Sequence, residues 1–199
     1  MIGKRVTKKE RIAAAEHARF EIDVARAHWR ATAPELSLQA LPAEVRAVAE
    51  DELTKLKALP QAGLRSETHI RWVLAPAWDR LLPGRTHGWV SRDDETCSVI
   101  NMAILASDLR RSGYWQGCYQ WRDDYFRLRH TLRHEAAHLW QFQHGGNAYP
   151  LSPKYAAALK QAFMLGEDFD EVEADYIACQ WYRDMAGVAA CDSKGEAAS

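Results

Sequence analysis

The segment His134-Glu135-Ala136-Ala137-His138 sets two imidazoles four positions apart, with a carboxylate beside the first. A helix advances about 100° and about 1.5 Å per residue, so the two rings fall about 40° apart in azimuth and roughly 6 Å apart in height. Both then reach a single metal ion. Leu132, Ala136, Leu139 and Trp140 fall on the other side of the same helical wheel, so one face can pack while the histidines face a cleft. A zinc ion held there lowers the pKa of a coordinated water toward about 7, and Glu135 is placed to receive its proton. The chemistry to expect is hydrolysis by a metal-activated water, with Glu135 as general base.

An open catalytic zinc site needs a third protein ligand. Glu171-Val172-Glu173-Ala174-Asp175, on a later expected helix, offers one. Glu171 and Asp175 form an i, i+4 pair on one face, so Glu171 can bind metal while Asp175 hydrogen-bonds a ligand imidazole; Glu173 then points elsewhere. His144 competes for the third position. It follows His138 by six residues, as in H-E-x-x-H-x-x-G-x-x-H sites, but Gln141 stands where those sites have the glycine that lets the chain turn. His130 pairs with His134 at i, i+4 without a following carboxylate, and is expected on the helix surface. Tyr155, Tyr176 and His144 are candidates for hydrogen-bonding a tetrahedral oxyanion.

Glu171-x-x-Ala174-Asp175 after an H-E-x-x-H helix resembles the E-x-x-A-[ND] ligand helix of gluzincin-type metallopeptidases, including ImmA/IrrE-like and HtpX-like proteins. The short separation favours the ImmA/IrrE-like comparison. The stretch from His134 to Gln141 followed by His144-Gly145, and Gly84-Arg85-Thr86-His87-Gly88-Trp89 ahead of Ile100-Asn101-Met102, resemble SprT-like metallopeptidases. SprT-like proteins carry a further histidine past the active-site helix, and this chain has none after His144. Both resemblances imply a small sheet whose edge strand lies beside the metal helix, where an extended peptide could add by strand pairing. Residues 97–105 are the candidate edge.

The elements needed to position these residues are legible along the chain. Residues 7–29 and 42–59 read as two helices, with Pro42 suited to a helix start, and together look like an N-terminal cover. Residues 69–74, 87–90 and 96–105 are of strand type, with Ser91-Arg92-Asp93-Asp94-Glu95 as a hairpin connection between the last two. Helices are expected again over 123–143, 153–165 and 168–185, with Gly145-Gly146-Asn147 ending the first.

At 199 residues the chain suits one domain with a real core. The organisation expected is an N-terminal helical segment over 1–62, a catalytic domain over 63–190 and a loose tail over 191–199. The fold class expected is α+β, zincin-like, with a small, mostly antiparallel sheet. A net charge of −1 promises no basic nucleic-acid surface, and the clusters Lys4-Arg5, Lys8-Lys9 and Arg110-Arg111 read as solvated charge. Cys97, Cys118, Cys179 and Cys191 form no C-x-x-C pair, so they read as buried thiols, and six tryptophans, Trp72, Trp78, Trp89, Trp115, Trp121 and Trp181, read mainly as core. No apolar run is long enough to span a bilayer and no signal-peptide core opens the chain, which implies a soluble, cytoplasmic protein without a membrane partner. The expected function is zinc-dependent hydrolysis of peptide or protein substrates. The alternatives are a zinc-bearing regulatory or protein-binding module with little turnover, and a SprT-like protease acting on DNA-bound proteins.

Overall fold

Thr7 opens the first helix with a capping box: its hydroxyl accepts from the Glu10 backbone N–H, and the Glu10 carboxylate accepts from the Thr7 backbone. Two orphan donors of the first turn are thereby satisfied. The computed structural model describes residues 7–81, 87–90, 99–104, 114–115, 119–120, 125–145, 149–166 and 168–185. Its elements are helices α1 (Lys8–Thr32) and α2 (Ala43–Ala58), strand β1 (His69–Leu74), the single turn α3 (Ala77–Arg80), and strands β2 (Gly88–Val90), β3 (Val99–Ile104), β4 (Tyr114–Trp115) and β5 (Tyr119–Gln120). Helices α4 (Phe126–His144), α5 (Pro153–Met164) and α6 (Phe169–Met185) complete the described chain.

The principal core is helix on helix. Leu128, Leu132, Ala136, Leu139 and Trp140 of α4 pack with Ala174, Ile177 and Trp181 of α6. Val45, Ala49 and Leu56 of α2 close the same cluster, so α2 shares its core with the metal-motif helix. A buried charge network reinforces that contact: Glu52 of α2 accepts from Arg133 Nε at 2.5 Å and from Arg129 Nη1 at 2.8 Å, both on α4. Glu52 and Arg133 are almost fully buried, so each charge depends on the other. By contrast α1 buries none of its residues fully and leaves Ile12, Phe20 and Val24 exposed. Among the described residues its anchors lie at the C-terminal end, where Trp29 packs against Trp89 and Arg26 pairs with the buried Asp79.

The expected α+β class, with a mostly antiparallel zincin-like sheet, is overturned by this architecture: the protein is mostly helical. The three-stranded sheet that is present has order β1-β3-β2 and is mixed. β1 runs parallel to β3 along its whole length, and only β2 is antiparallel to it. β4 and β5, two residues each, form a separate antiparallel pair. The helices predominate because α2, α4 and α6 bury their apolar faces on one another, leaving the short strands as a flank to the core.

The expected edge strand is also corrected. β3, within 97–105, is the central strand, paired with β1 along its length and with β2 over Ile100–Met102, and among the described strands the edge beside α4 is β2. A strand paired twice has no free ladder to offer a peptide. The hairpin connection 91–95, the segment 84–86, the tail 191–199, Lys4-Arg5, Arg110-Arg111, Cys97, Cys118, Cys191, Trp121 and the Trp115 side chain lie outside the described residues and side chains. Trp72 and Trp181 are core residues, as is the Cys179 thiol.

Candidate metal centre

Helix α4 presents His134 and His138 on the face opposite its buried leucines, and α6 crosses it so that Glu171 and Asp175 meet the two rings. His134 Nε2 lies 3.1 Å from His138 Nε2 and 3.2 Å from a Glu171 carboxylate oxygen. The other Glu171 oxygen lies 3.6 Å from His138 Nε2. A tetrahedral site with bonds of about 2.0–2.1 Å has edges of roughly 3.3 Å, and these three separations match it.

The outer nitrogens explain why the inner ones need a cation. His134 Nδ1–H donates to Asp175 Oδ1 at 2.7 Å, and His138 Nδ1–H donates to Gln141 Oε1 at 2.7 Å. The Gln141 amide is oriented by its own donors, since its nitrogen reaches the Asp170 carbonyl at 3.0 Å and the buried Glu173 carboxylate at 2.8 Å. With both Nδ1 atoms protonated, the neutral rings turn two lone pairs and a carboxylate toward one point. Three acceptors converging without a donor are repulsive unless a proton or a metal ion lies between them. The same need is visible in the metal-free electrostatics. Burial opposes charge on His134, yet the carboxylates of Asp175 and Glu171 prevail and raise its pKa well above the usual value. Hydrogen bonds from His134 and His138 hold Glu171 far below the ordinary carboxylate range. The donor set, two imidazole nitrogens and one carboxylate, is one that suits zinc.

Glu135 lies between the histidines and strand β2 and is 5% exposed. Burial raises its carboxyl above the usual value, against the pull of His134 and His138. A raised carboxyl is a better proton acceptor near neutral pH than an ordinary one. Its position depends on Gly88 at the start of β2. A Cβ there would fall 2.8 Å from Glu135 Oε1 and from Thr131 Cγ2, and 2.9 Å from Glu135 Cγ. Gly88 is therefore required for close approach rather than for an unusual backbone conformation.

The expected ligands His134, His138 and Glu171 meet at one point, with Glu135 adjoining and Asp175 behind His134. His144 does not join them: it stacks on Trp140 at 4.3 Å, and its Nδ1 donates to the Trp140 carbonyl at 2.9 Å. Tyr155 and Tyr176 pack in a separate cluster with Leu159 and Val172, away from the residues that line the cleft. His130 departs from its expected place on the helix surface. It lines the cleft, and its Nε2–H donates to the Asp175 oxygen that His134 uses, at 3.1 Å. Burial holds His130 below its usual pKa, so it serves as a neutral donor. Asp175 is itself largely buried, but hydrogen bonds from His130 and His134 keep its carboxyl lowered and ionised.

Sequence reasoning missed the support given by Gln141 and Glu173. Glu173 does point away from the metal site, but toward Gln141, which carries the contact on to His138. The available signal was the i, i+3 spacing of His138 and Gln141 on one helix. The whole constellation opens into a cleft of about 630 Å³ whose wall includes Arg26 and Arg30 of α1, Trp89 of β2, and Asp168 and Asp170 before and within α6. Comparison of the chain with protein-family models, with curated proteins and with solved structures gave no match.

Proposed function

We propose that the protein is a zinc-dependent metallopeptidase. The observation that carries this reading is the convergence of His134 Nε2, His138 Nε2 and Glu171 on one point, with both histidine Nδ1 atoms committed elsewhere and a buried carboxylate adjoining. Zinc, when bound, supplies Lewis-acid chemistry: it acidifies a water and polarises a carbonyl oxygen. His134, His138 and Glu171 would hold the ion. Asp175 and Gln141 fix the tautomers that make their histidines ligands. Glu135 takes the proton of the attacking water and passes it to the leaving amine as the peptide bond breaks. The motif-level resemblance to gluzincin-type peptidases supports this assignment through His134, Glu135, His138, Glu171 and Asp175.

A regulatory zinc module is the weaker reading, because a structural site closes with a fourth protein ligand and has no use for Glu135. Peptide or protein substrates suit an open cleft bordered by the edge strand β2. The SprT-like alternative of a protease on DNA-bound proteins calls for a continuous basic surface, which a net charge of −1 does not favour. Among the described residues no helix is long and apolar enough to cross a membrane. A cytoplasmic setting is part of the proposal.

The test joins zinc analysis of the purified protein with cleavage of a panel of unstructured proteins. His134→Ala/His138→Ala removes the stoichiometric zinc, and Glu135→Gln keeps it while losing hydrolysis by several orders of magnitude. A double variant with a full equivalent of zinc, or a Glu135→Gln protein as active as the parent, refutes the assignment.

A further inference from the structure

Glu171, Glu173 and Asp175 stand at alternate positions of α6. Glu171 and Asp175, one turn apart, meet the histidine rings, whereas Glu173 leaves the helix about 200° round from each. It is 2% exposed and meets Gln141 of α4, itself 4% exposed. A carboxylate taken out of water is costly unless it is hydrogen-bonded, and the Gln141 amide nitrogen donates to Glu173 Oε2 at 2.8 Å. The same nitrogen donates to the Asp170 carbonyl at 3.0 Å. Two acceptors on one side of an amide fix which way round it sits: turned over, its oxygen would face a carboxylate and a carbonyl with no donor between them. The Gln141 oxygen is thereby committed to the opposite side, where it accepts from His138 Nδ1 at 2.7 Å. A neutral imidazole with its proton on Nδ1 carries its lone pair on Nε2, the nitrogen that lies 3.1 Å from His134 Nε2. His134 is held by a carboxylate directly, through Asp175; His138 is held by one across an amide.

We propose that Glu173 is a positioning residue of the metal centre: acting through the Gln141 amide, it locks His138 in the tautomer whose Nε2 binds the ion, and so sets metal affinity without touching the metal. The inference rests on the zinc site proposed above and gives that site a remote determinant. Without Glu173 the amide loses one of the two acceptors that orient it. In the turned-over amide the NH2 group faces His138 Nδ1, which must then accept, and the ring proton moves to Nε2, where it blocks coordination. The amide is a two-position device whose setting is held by a buried carboxylate. A planar group with a donor at one corner and an acceptor at the other is what this place requires, which explains a glutamine at 141 rather than a second carboxylate.

The experiment uses the full-length protein with isotope-labelled histidine, zinc-loaded and zinc-free, at one fixed pH. Ring-nitrogen NMR shifts of His138, assigned by their loss in His138→Ala, report which nitrogen carries the proton, and zinc affinity is read by competition with a chromophoric chelator. The parent is expected to carry the His138 proton on Nδ1. Glu173→Leu is expected to bind zinc about tenfold more weakly. The size-matched Glu173→Gln, which offers Gln141 either an oxygen or an NH2 group, is expected to bind it about threefold more weakly. In both, part of the His138 proton moves to Nε2 in the zinc-free protein. Gln141→Glu alone sets a second carboxylate against Glu173 and is expected to weaken zinc as much as Glu173→Leu does. In Gln141→Glu/Glu173→Gln the two groups exchange roles: the new amide donates to the new carboxylate, which accepts from His138 Nδ1, and affinity returns to within about threefold of the parent. A purely structural Glu173 would lower the melting temperature and leave ring proton and affinity of the folded protein unmoved. Neither readout needs turnover, so a protein that cleaves no peptide bears only on the peptidase reading. A protein that takes up no zinc, but whose His138 proton moves with Glu173, refutes the zinc site and sustains the lock. A parent with the His138 proton on Nε2, or a folded Glu173→Gln protein with the parent's zinc affinity and ring-proton position, overturns the proposal.

Discussion

Gly88→Ala adds one methyl group beside Glu135, the proposed general base, and the geometry sets its consequence. The new Cβ would lie 2.8–2.9 Å from Glu135 Oε1, Glu135 Cγ and Thr131 Cγ2, whereas ordinary carbon contacts begin near 3.4 Å. Glu135 and Thr131 must therefore withdraw by roughly 0.5–1 Å, or β2 must lift from α4 by as much. Displacements of about 1 Å at a reacting group cost on the order of 100-fold in rate. Overpacking a filled site costs about 1–3 kcal/mol of stability. The clash falls on Glu135 and Thr131 and not on His134, His138 or Glu171, the proposed zinc ligands, so metal content should persist. Gly88→Ala is expected to remain folded by circular dichroism, to hold one zinc, to melt several degrees lower, and to lose about 100-fold in kcat on any peptide the parent cleaves. Removing Thr131 Cγ2 with a Thr131→Ser change should not restore activity, because the Glu135 contacts remain. A Gly88→Ala protein with unchanged kcat and melting temperature would refute the argument that close approach of β2 positions the base; so would parallel loss of zinc and activity.

Three further outcomes follow from the same geometry. Glu171→Ala should leave a folded, zinc-poor protein after dialysis against a weak chelator, and His144→Ala a zinc-replete one. Asp175→Asn and Gln141→Ala should fall between, at about 10–100-fold in affinity, and the reverse order for Glu171 and His144 would move the third ligand. Glu52→Ala strands the buried Arg133 guanidinium and should destabilise by about 3–5 kcal/mol in urea unfolding, whereas an effect below about 1 kcal/mol would show that the pair is not buried as described. His134 carries a raised pKa in the metal-free protein, so the stability its protonated form contributes is complete below its unfolded value near pH 6.5 and declines as pH rises through the folded value. The metal-free protein should thus lose melting temperature on going from about pH 6 upward, while zinc, which displaces that proton, should bind more tightly over the same range. Melting curves with and without chelator decide it, and a metal-free protein that gains stability with rising pH there would contradict the cluster.

Local chemistry alone marked out much of this protein. The helices at 7–29, 42–59, 123–143, 153–165 and 168–185 were legible because apolar spacing, Pro42 and Gly145 act within one or two turns, and the observed helices differ from them only at their ends. The ligand candidates were legible for the same reason: the i, i+4 spacings of His134 with His138 and of Glu171 with Asp175 are properties of one helix each. What required the folded chain was every contact between elements. That α6 crosses α4 so that Glu171 reaches both rings, while His144 turns away onto Trp140, depends on the shared burial of Leu132, Ala136, Ile177 and Trp181. The hold of Glu173 on Gln141, and the sharing of Asp175 by His130, join residues 32 and 45 positions apart, beyond the reach of any local pattern. Strand order was similarly hidden, since 97–105 has the same β-forming character whether it ends as an edge or, as here, between β1 and β2. The mostly helical character escaped the motif resemblance because H-E-x-x-H and E-x-x-A-D describe two helices and say nothing about how much sheet surrounds them. Arg30 lies farthest from sequence reach: within α1 it is one arginine among several, and contacts between elements, the packing of Trp29 and Trp89 among them, bring it to the cleft.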